Sequence, residues 1–204
     1  MGRDAAKPSD ERVRLGVDER RERLLTLGRE LFSDRSYEEI SIGDIAKAAG
    51  ISKGLLYHYF PSKRDFYVAV VRDAAQDLLD RTEPPEATPG DVDLLHAKLE
   101  AYLEYVEENF RAYALLLRSG IGSDREVLAL VEGTRAAFVE RLLTSLPLEA
   151  PTPLMRTALR GWVGFAEAVS LDWIEHRDVE RTQLRQLLAQ TLFAAVVAAG
   201  GKMS

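Results

Sequence analysis

A chain of 204 residues with 46% apolar and 29% charged side chains has the balance of a folded globular protein, too apolar to stay disordered and long enough for one large domain or two small ones. It contains no cysteine, which excludes disulfides, thiolate metal ligands and cysteine nucleophiles, and its three histidines, His58, His96 and His176, are too dispersed to form a local metal motif. The net charge of −6 is uneven: residues 1–65 carry 13 basic and 12 acidic side chains, a net of +1, whereas residues 66–204 carry 14 and 21, a net of −7.

Met1–Val17 mixes Pro8, Ser9 and Gly16 with scattered charges and shows no periodicity, so it is expected to be a flexible arm, solvated or reaching into a minor groove. From Asp18, the spacing of Leu24, Leu27, Leu31 and Phe32 predicts an amphipathic helix ending near Asp34. Ser41 then stands as an N-cap with Asp44 three residues on, ahead of a short helix over Ile42–Ala49. Gly50 follows at the position where a positive φ is wanted. Ser52 caps another short helix running to about Tyr59, and Pro61 stops it. Ser62 opens a long helix reaching about Arg81.

Glu83–Gly90, with three prolines, is the strongest breaker cluster and predicts a loop. Helical spacing resumes at Asp91 and runs to about Ser119 with a bend near Asn109. Gly120 and Gly122 mark a turn, Ser123 caps a helix to about Leu146, and Pro147–Pro153 breaks it. Two last helices are predicted over about Thr152–His176 and Val179–Ala199. No segment alternates with period two. The fold class is therefore all-α, with some nine helices.

Two short Ser-capped helices joined by a glycine turn meet the needs of a helix-turn-helix, whose second helix offers its N-terminal residues to base edges in the major groove. On that second helix Ile51, Leu56 and Phe60 fall on one face, toward Ile45 and Ala49. Lys53, Gly54, Leu55, Tyr57 and His58 are left outward, where exposed Leu and Tyr suit thymine methyls, sugars and phosphates. The same caps and turn taken alone fit a helical hairpin packed only for stability.

The run Ile45-Ala46-Lys47-Ala48-Ala49-Gly50-Ile51-Ser52-Lys53-Gly54, continued by Tyr57-His58-Tyr59-Phe60-Pro61-Ser62-Lys63, resembles the DNA-binding signature of the TetR family of transcriptional regulators. The likeness covers about Asp18–Arg72; beyond it only length and architecture agree. It implies an all-α homodimer with a flexible arm over 1–17, a DNA-binding head over 18–78 (motif about 41–60) and an effector-binding and dimerisation domain over 79–204. By the same resemblance Ser41 and Ser52 would cap their helices and reach phosphate. Lys53, Gly54 and Leu55 would face base edges, and Tyr57, Tyr59 and Lys63 would hold phosphates. His58 reads equally as a contact or a solvated residue, and Tyr59 reads also as a packing residue. Many members carry Thr or Ser where this chain has Leu55, which implies a thymine preference there.

For an effector the candidate residues are Tyr102, Tyr105, Tyr113, Arg118, Trp162, Phe165 and Glu167, an aromatic set with few polar groups that suits a small apolar or amphipathic molecule. Each also reads as plain core. Gly161 and Gly164 make room for a ligand or for a partner helix. The apolar load of the last two helices, among them Leu187, Leu188, Leu192, Phe193 and Val197, predicts a homodimer closed by those helices around a two-fold axis.

The functional expectation is a repressor released from a palindromic, double-stranded operator by a small molecule. The alternative is a helix-turn-helix protein without such a ligand, and a cavity of several hundred Å³ among the middle helices would separate the two. No phosphate loop, metal-ligand spacing or nucleophile motif points to an enzyme, a metal or a cofactor. Met1–Val17 has no apolar core of a secretory signal, and the longest apolar stretch, Leu192–Ala199, is far short of the roughly 20 residues of a membrane helix. A cytoplasmic protein with no membrane partner is expected.

Overall fold

The computed structural model describes residues 8–82, 92–118, 124–146 and 152–201. Among these residues the chain forms nine α-helices and no strand: α1 (Pro8–Asp34), α2 (Ile42–Ala48), α3 (Lys53–Tyr59), α4 (Lys63–Arg81), α5 (Val92–Glu108), α6 (Phe110–Arg118), α7 (Arg125–Ser145), α8 (Pro153–His176) and α9 (Arg181–Ala198). The sequence places most boundaries within a residue or two, because the caps that set them are local. Ser41, Ser52, Ser62 and Thr152 each accept a backbone N–H from the first turn they precede, satisfying a donor that has no partner inside the helix.

Three boundaries differ from the sequence expectation. Helix α1 begins at Pro8, so the part of the expected arm over 8–17 is helical; residues 1–7 lie outside the described residues. The N-cap of α7 is Asp124, whose carboxylate accepts from Glu126 N at 3.0 Å and Val127 N at 3.3 Å. Ser123, the expected cap, is outside the described residues, as are the expected breaks at Glu83–Gly90, Gly120–Gly122 and Pro147–Pro151. Helix α9 opens at Arg181, two residues later than Val179, behind a reciprocal cap between Glu180 and Gln183.

Two hydrophobic cores share the helices. In the first, Ile45, Leu56 and Phe60 of the head meet Phe66, Val70 and Val71 of α4 and continue into Leu115 and Leu116 of α6 and Val127 of α7. An aromatic chain reinforces it: Phe32 lies edge-on to Tyr67 at 4.8 Å between ring centroids, and Phe60 edge-on to Phe66 at 4.9 Å, a geometry that adds to plain burial. The second core joins Leu103 of α5, Leu159 and Trp162 of α8, and Leu188, Leu192 and Val196 of α9. Among the described residues the first core runs from the head through Leu78 of α4 into α6 and α7. Helix α4 packs on α1, α6 and α7 together.

Gly28 marks the tightest approach of α1 to α4: a Cβ there would stand 2.4 Å from Val70 Cγ2 and 2.9 Å from Phe66 Cζ. Gly133, inside α7, has open space at the same position. Gly28→Ala should destabilise the fold by about 1–2 kcal/mol, overpacking outweighing the better helix propensity. Gly133→Ala should stabilise it by about 0.5–1 kcal/mol. Thermal melts of the two variants against the parent check the opposite signs.

Candidate nucleic-acid interface and effector cavity

The turn between α2 and α3 is set by Gly50, at φ +66°, a left-handed conformation that costs a side-chain-bearing residue and not glycine. Its N–H bonds Lys47 O at 3.2 Å, and Ile51 N bonds Ala46 O at 3.0 Å, closing α2. Ser41 and Asp44 cap α2 reciprocally: Asp44 N donates to Ser41 Oγ at 3.2 Å and Ser41 N to Asp44 Oδ2 at 2.9 Å. Leu55 N donates to Ser52 Oγ at 3.1 Å. Both Ser41 and Ser52 are exposed.

Helix α3 is anchored by Leu56 and Phe60, at 0% and 3% exposure, and turns Lys53, Gly54, Tyr57 and His58 outward. Tyr57 is 47% exposed, unusual for a large ring on a head this small. A Cβ on Gly54 would meet only Ser52 Oγ, at 3.9 Å, so nothing inside the protein asks for glycine there and the open backbone is free to approach a partner. Leu55 differs from the outward reading, for it is half-buried, and Tyr59 is half-buried as well. The Tyr59 ring sits edge-on to His58 at 5.7 Å. Lys53 folds back over α2, its Cε 3.1 Å from where a Gly43 Cβ would stand, so reaching a base edge requires its flexible stem to swing out. Lys63 is held 4.0 Å over the Tyr37 ring, a cation–π contact that fixes its ammonium beside the start of α4. Lys47, exposed in the last turn of α2, is a further cation at the motif that the sequence reading did not single out.

The head is tied to the rest of the chain through the first turns of α4. Arg64 Nε lies 2.6 Å from Asp124 Oδ2, Arg64 Nη2 3.1 Å from Glu126, and Arg72 Nη2 2.6 Å from the other oxygen of Glu126. Asp124, cap of α7 and partner of Arg64, is held below the usual carboxylate range, first by the Arg64 hydrogen bond and then by the amides it caps.

Farther along α4, a cavity of about 120 Å³ opens among α4, α5, α6, α7, α8 and α9. Tyr102, Tyr113, Trp162 and Glu167 line it. The Tyr102 and Tyr113 hydroxyls hydrogen-bond each other at 2.5 Å. Burial pushes the Tyr102 hydroxyl up to about 12 and the Tyr113 hydroxyl well above its ordinary value, so both are neutral donors and acceptors near neutral pH. Glu167 is taken by Arg135, whose Nη2 lies 2.8 Å away. Trp162 Nε1 donates to Leu188 O and Thr191 Oγ1.

The other effector candidates lie elsewhere. Tyr105 is in the first core, its hydroxyl donating to Asp77 at 3.1 Å on α4. Phe165 is half-buried on α8 against the second core and does not reach the cavity. The Arg118 side chain is outside the described residues. Gly161 and Gly164 do not line the cavity, and a Cβ on either would meet open space. Two lining residues that sequence reasoning missed, Lys98 and Arg141, each interrupt the apolar stripe of their helix, a signal the sequence does carry. Among the described residues no group of three His, Cys, Asp or Glu side chains is placed to hold a metal, and no helix is long and apolar enough to cross a membrane.

Comparison with known proteins decides the family. Residues 24–70 match the profile of bacterial regulatory proteins of the tetR family, and residues 92–195 match the tetracyclin repressor-like C-terminal domain. The chain belongs to the TetR family of transcriptional regulators. A solved TetR-family regulator from Streptomyces coelicolor superposes with a TM-score of 0.76 at 34% identity, over 90% of this chain and 82% of that one. The transcriptional repressor KstR2 of Rhodococcus jostii is 28% identical over 89% of this chain and 80% of its own length. The transcriptional activator FasR of Mycolicibacterium smegmatis is 33% identical over 58% of this chain, and the chain spans only 55% of that relative. TetR regulators bind operator DNA and act as dimers, and ligand-responsive control is typical of them.

The Arg64–Asp124 pair yields a pH prediction. The folded-state carboxyl titrates below its unfolded value of about 4, so its contribution is present above that pH and is lost as pH falls through the folded value. Asp124→Asn should therefore flatten the acid limb of stability against pH, measured by denaturant melts from neutral pH downward. An unchanged acid limb would show that the pair contributes nothing to folding.

Proposed function

We propose that this TetR-family chain is a homodimeric repressor that occupies a palindromic operator and leaves it when a small molecule enters the cavity. The carrying observation is that one helix serves both ends: α4 begins beside the exposed recognition helix and lines the cavity through Leu78 and Thr82. Recognition helices of a dimer must sit roughly 34–36 Å apart to enter successive major grooves. A ligand that displaces the far end of α4 changes that separation, provided it binds the released form more tightly.

The proposed dimer surface is the outer side of α8 and α9. There Leu154, Leu187 and Val197 are exposed at 60%, 43% and 62%, and Gln190, Ala194, Gly161 and Ala168 lie exposed on the same two helices. Apolar and small residues left facing water on two adjacent helices suit isologous packing against a second copy. The open space at Gly161 and Gly164 admits a partner helix closely. Cytoplasmic location follows from the proposed work on DNA.

A helix-turn-helix protein without a small-molecule ligand is the second reading, favoured by the cavity's size. At about 120 Å³ it falls below the roughly 300 Å³ lower bound of ordinary ligand sites, yet it is close to an engineered apolar cavity of about 150 Å³ that binds benzene.

Gel shifts against the DNA flanking the protein's own gene, with and without a metabolite panel, separate the two readings: release by a metabolite supports the first, its absence the second. Lys63→Ala should weaken all duplexes about equally and lower the salt slope by about 1, whereas Lys53→Ala should relax preference at particular bases by about 1–3 kcal/mol. Unchanged base preference in Lys53→Ala would overturn the register assigned to α3. Val197→Glu should turn the dimer into a monomer in analytical ultracentrifugation and abolish tight operator binding. A dimer that persists would move the interface elsewhere.

A further inference from the structure

The cavity is chemically lopsided. Its α7 wall runs from Val131 and Thr134 through Phe138 to Arg141 and Ser145, and the rise of a helix puts about 10 Å between Thr134 and Arg141. At the Thr134 end the charges are matched, Glu167 by Arg135, and the Tyr102 and Tyr113 hydroxyls satisfy each other. At the Arg141 end two cations stand together. Lys98 Nζ donates to Ser145 Oγ at 2.7 Å. Arg141 Nη2 donates to Leu79 O at 2.9 Å and Nη1 to Thr82 Oγ1 at 3.2 Å, with its guanidinium 5.5 Å over Phe138.

Among the described residues neither Lys98 nor Arg141 has a carboxylate at ion-pair distance, whereas Arg177, Arg181 and Arg185 all meet glutamates of α5. Half-buried cations beside one another and lacking an anion are costly. Burial, and after it the Arg141 charge, pulls the Lys98 ammonium below its ordinary value. An arriving anion relieves both.

We infer that Lys98 and Arg141 form an anion subsite at one end of the cavity, which selects as effector a small amphiphile with a single oxyanion head, a carboxylate or a phosphate monoester. This rests on the reading of the cavity as an effector site. The head lies between the two cations within reach of Ser145 and Thr82, and the apolar body runs toward Tyr102 and Trp162. The subsite also carries the regulation. Arg141 donates to the last turn of α4, and Thr82, its other partner, bonds Leu78 O at 2.5 Å. An oxyanion that draws the guanidinium fork away removes its donors from Leu79 O and from the Thr82 hydroxyl at that helix end. The opposite end of α4 carries Lys63 and Arg64.

The test is direct binding, read as quenching of Trp162 in a Trp173→Phe background so that one indole emits. The probes are hexanoate, decanoate and hexyl phosphate, with 1-hexanol and 1-decanol as uncharged counterparts. The oxyanions should bind about tenfold or more tightly than the alcohols, the worth of one charge-assisted hydrogen bond. Whichever of carboxylate and phosphate binds better names the natural head.

Lys98→Met should reduce oxyanion affinity to that of the alcohol and leave alcohol affinity unchanged. Arg141→Met should do the same but also lower the melting temperature through the end of α4, so Lys98→Met carries the decision. Equal affinity for oxyanion and alcohol, no binding by any probe, or an intact preference in Lys98→Met overturns the subsite. Because the readout needs no DNA, a subsite that binds oxyanions while the gel shift is unmoved leaves this inference standing and removes the inducer reading instead.

Discussion

The nine buried side chains of α4, from Phe66 to Leu78, are the common floor of the DNA-binding head and the cavity-bearing body. Phe60, at the end of the recognition helix, rests on Phe66, and Leu56 is shut into the same core. The position of α3 is therefore set by where α4 lies. On the other side α6 and α7 pack against α4, and the Arg64–Asp124–Glu126–Arg72 cluster fastens its first turns to the start of α7. Exposed ion pairs add little stability individually. Here they fix direction, because Asp124 cannot serve Arg64 without also holding the first amides of α7. A close-packed interior does not deform smoothly, so movement at one end of α4 has to appear as movement of the whole helix.

How much of this could be read from the chain depends on the distance over which each decision is made. The helix-turn-helix was legible in detail because its determinants are local: a serine hydroxyl reaches an amide three residues on, and Gly50 answers to its own φ. The start of α7 was not, although Ser123 and Asp124 are both competent caps. Arg64, sixty residues away in the chain, engages Asp124. Tyr102 and Tyr105 show the same limit within a single turn of α5. Nothing in their spacing says which meets the cavity, and the hydrogen bond from Tyr105 to Asp77 draws that side chain to α4. Phe165 was equally ambiguous, its ring lying on the flank of α8 away from the cavity. Lys98 and Arg141 are a different kind of miss. A cation at an apolar position of an amphipathic helix is visible in the sequence, but only the fold brings the two together.

The cavity also shows how burial sorts polar groups. Tyr102 and Tyr113 keep their protons because the charged form is excluded from that environment, so that end offers neutral hydroxyls over the whole physiological range. Arg135 spends its guanidinium on Glu167 and Glu132, closing off another charge. What remains open to an incoming molecule is apolar surface with a cationic end, and that contrast orients a guest even where the volume alone would not.

The uneven division of charge along the chain has a consequence for the first encounter with nucleic acid. The stretch from residue 66 onward carries a net of −7, against +1 for residues 1–65. A polyanion at a distance repels the bulk of such a molecule and spares its tip, so the protein arrives with a torque that swings the acidic mass outward before any contact forms. Its own dipole thus acts as a keel, and fewer collisions are wasted on the wrong end.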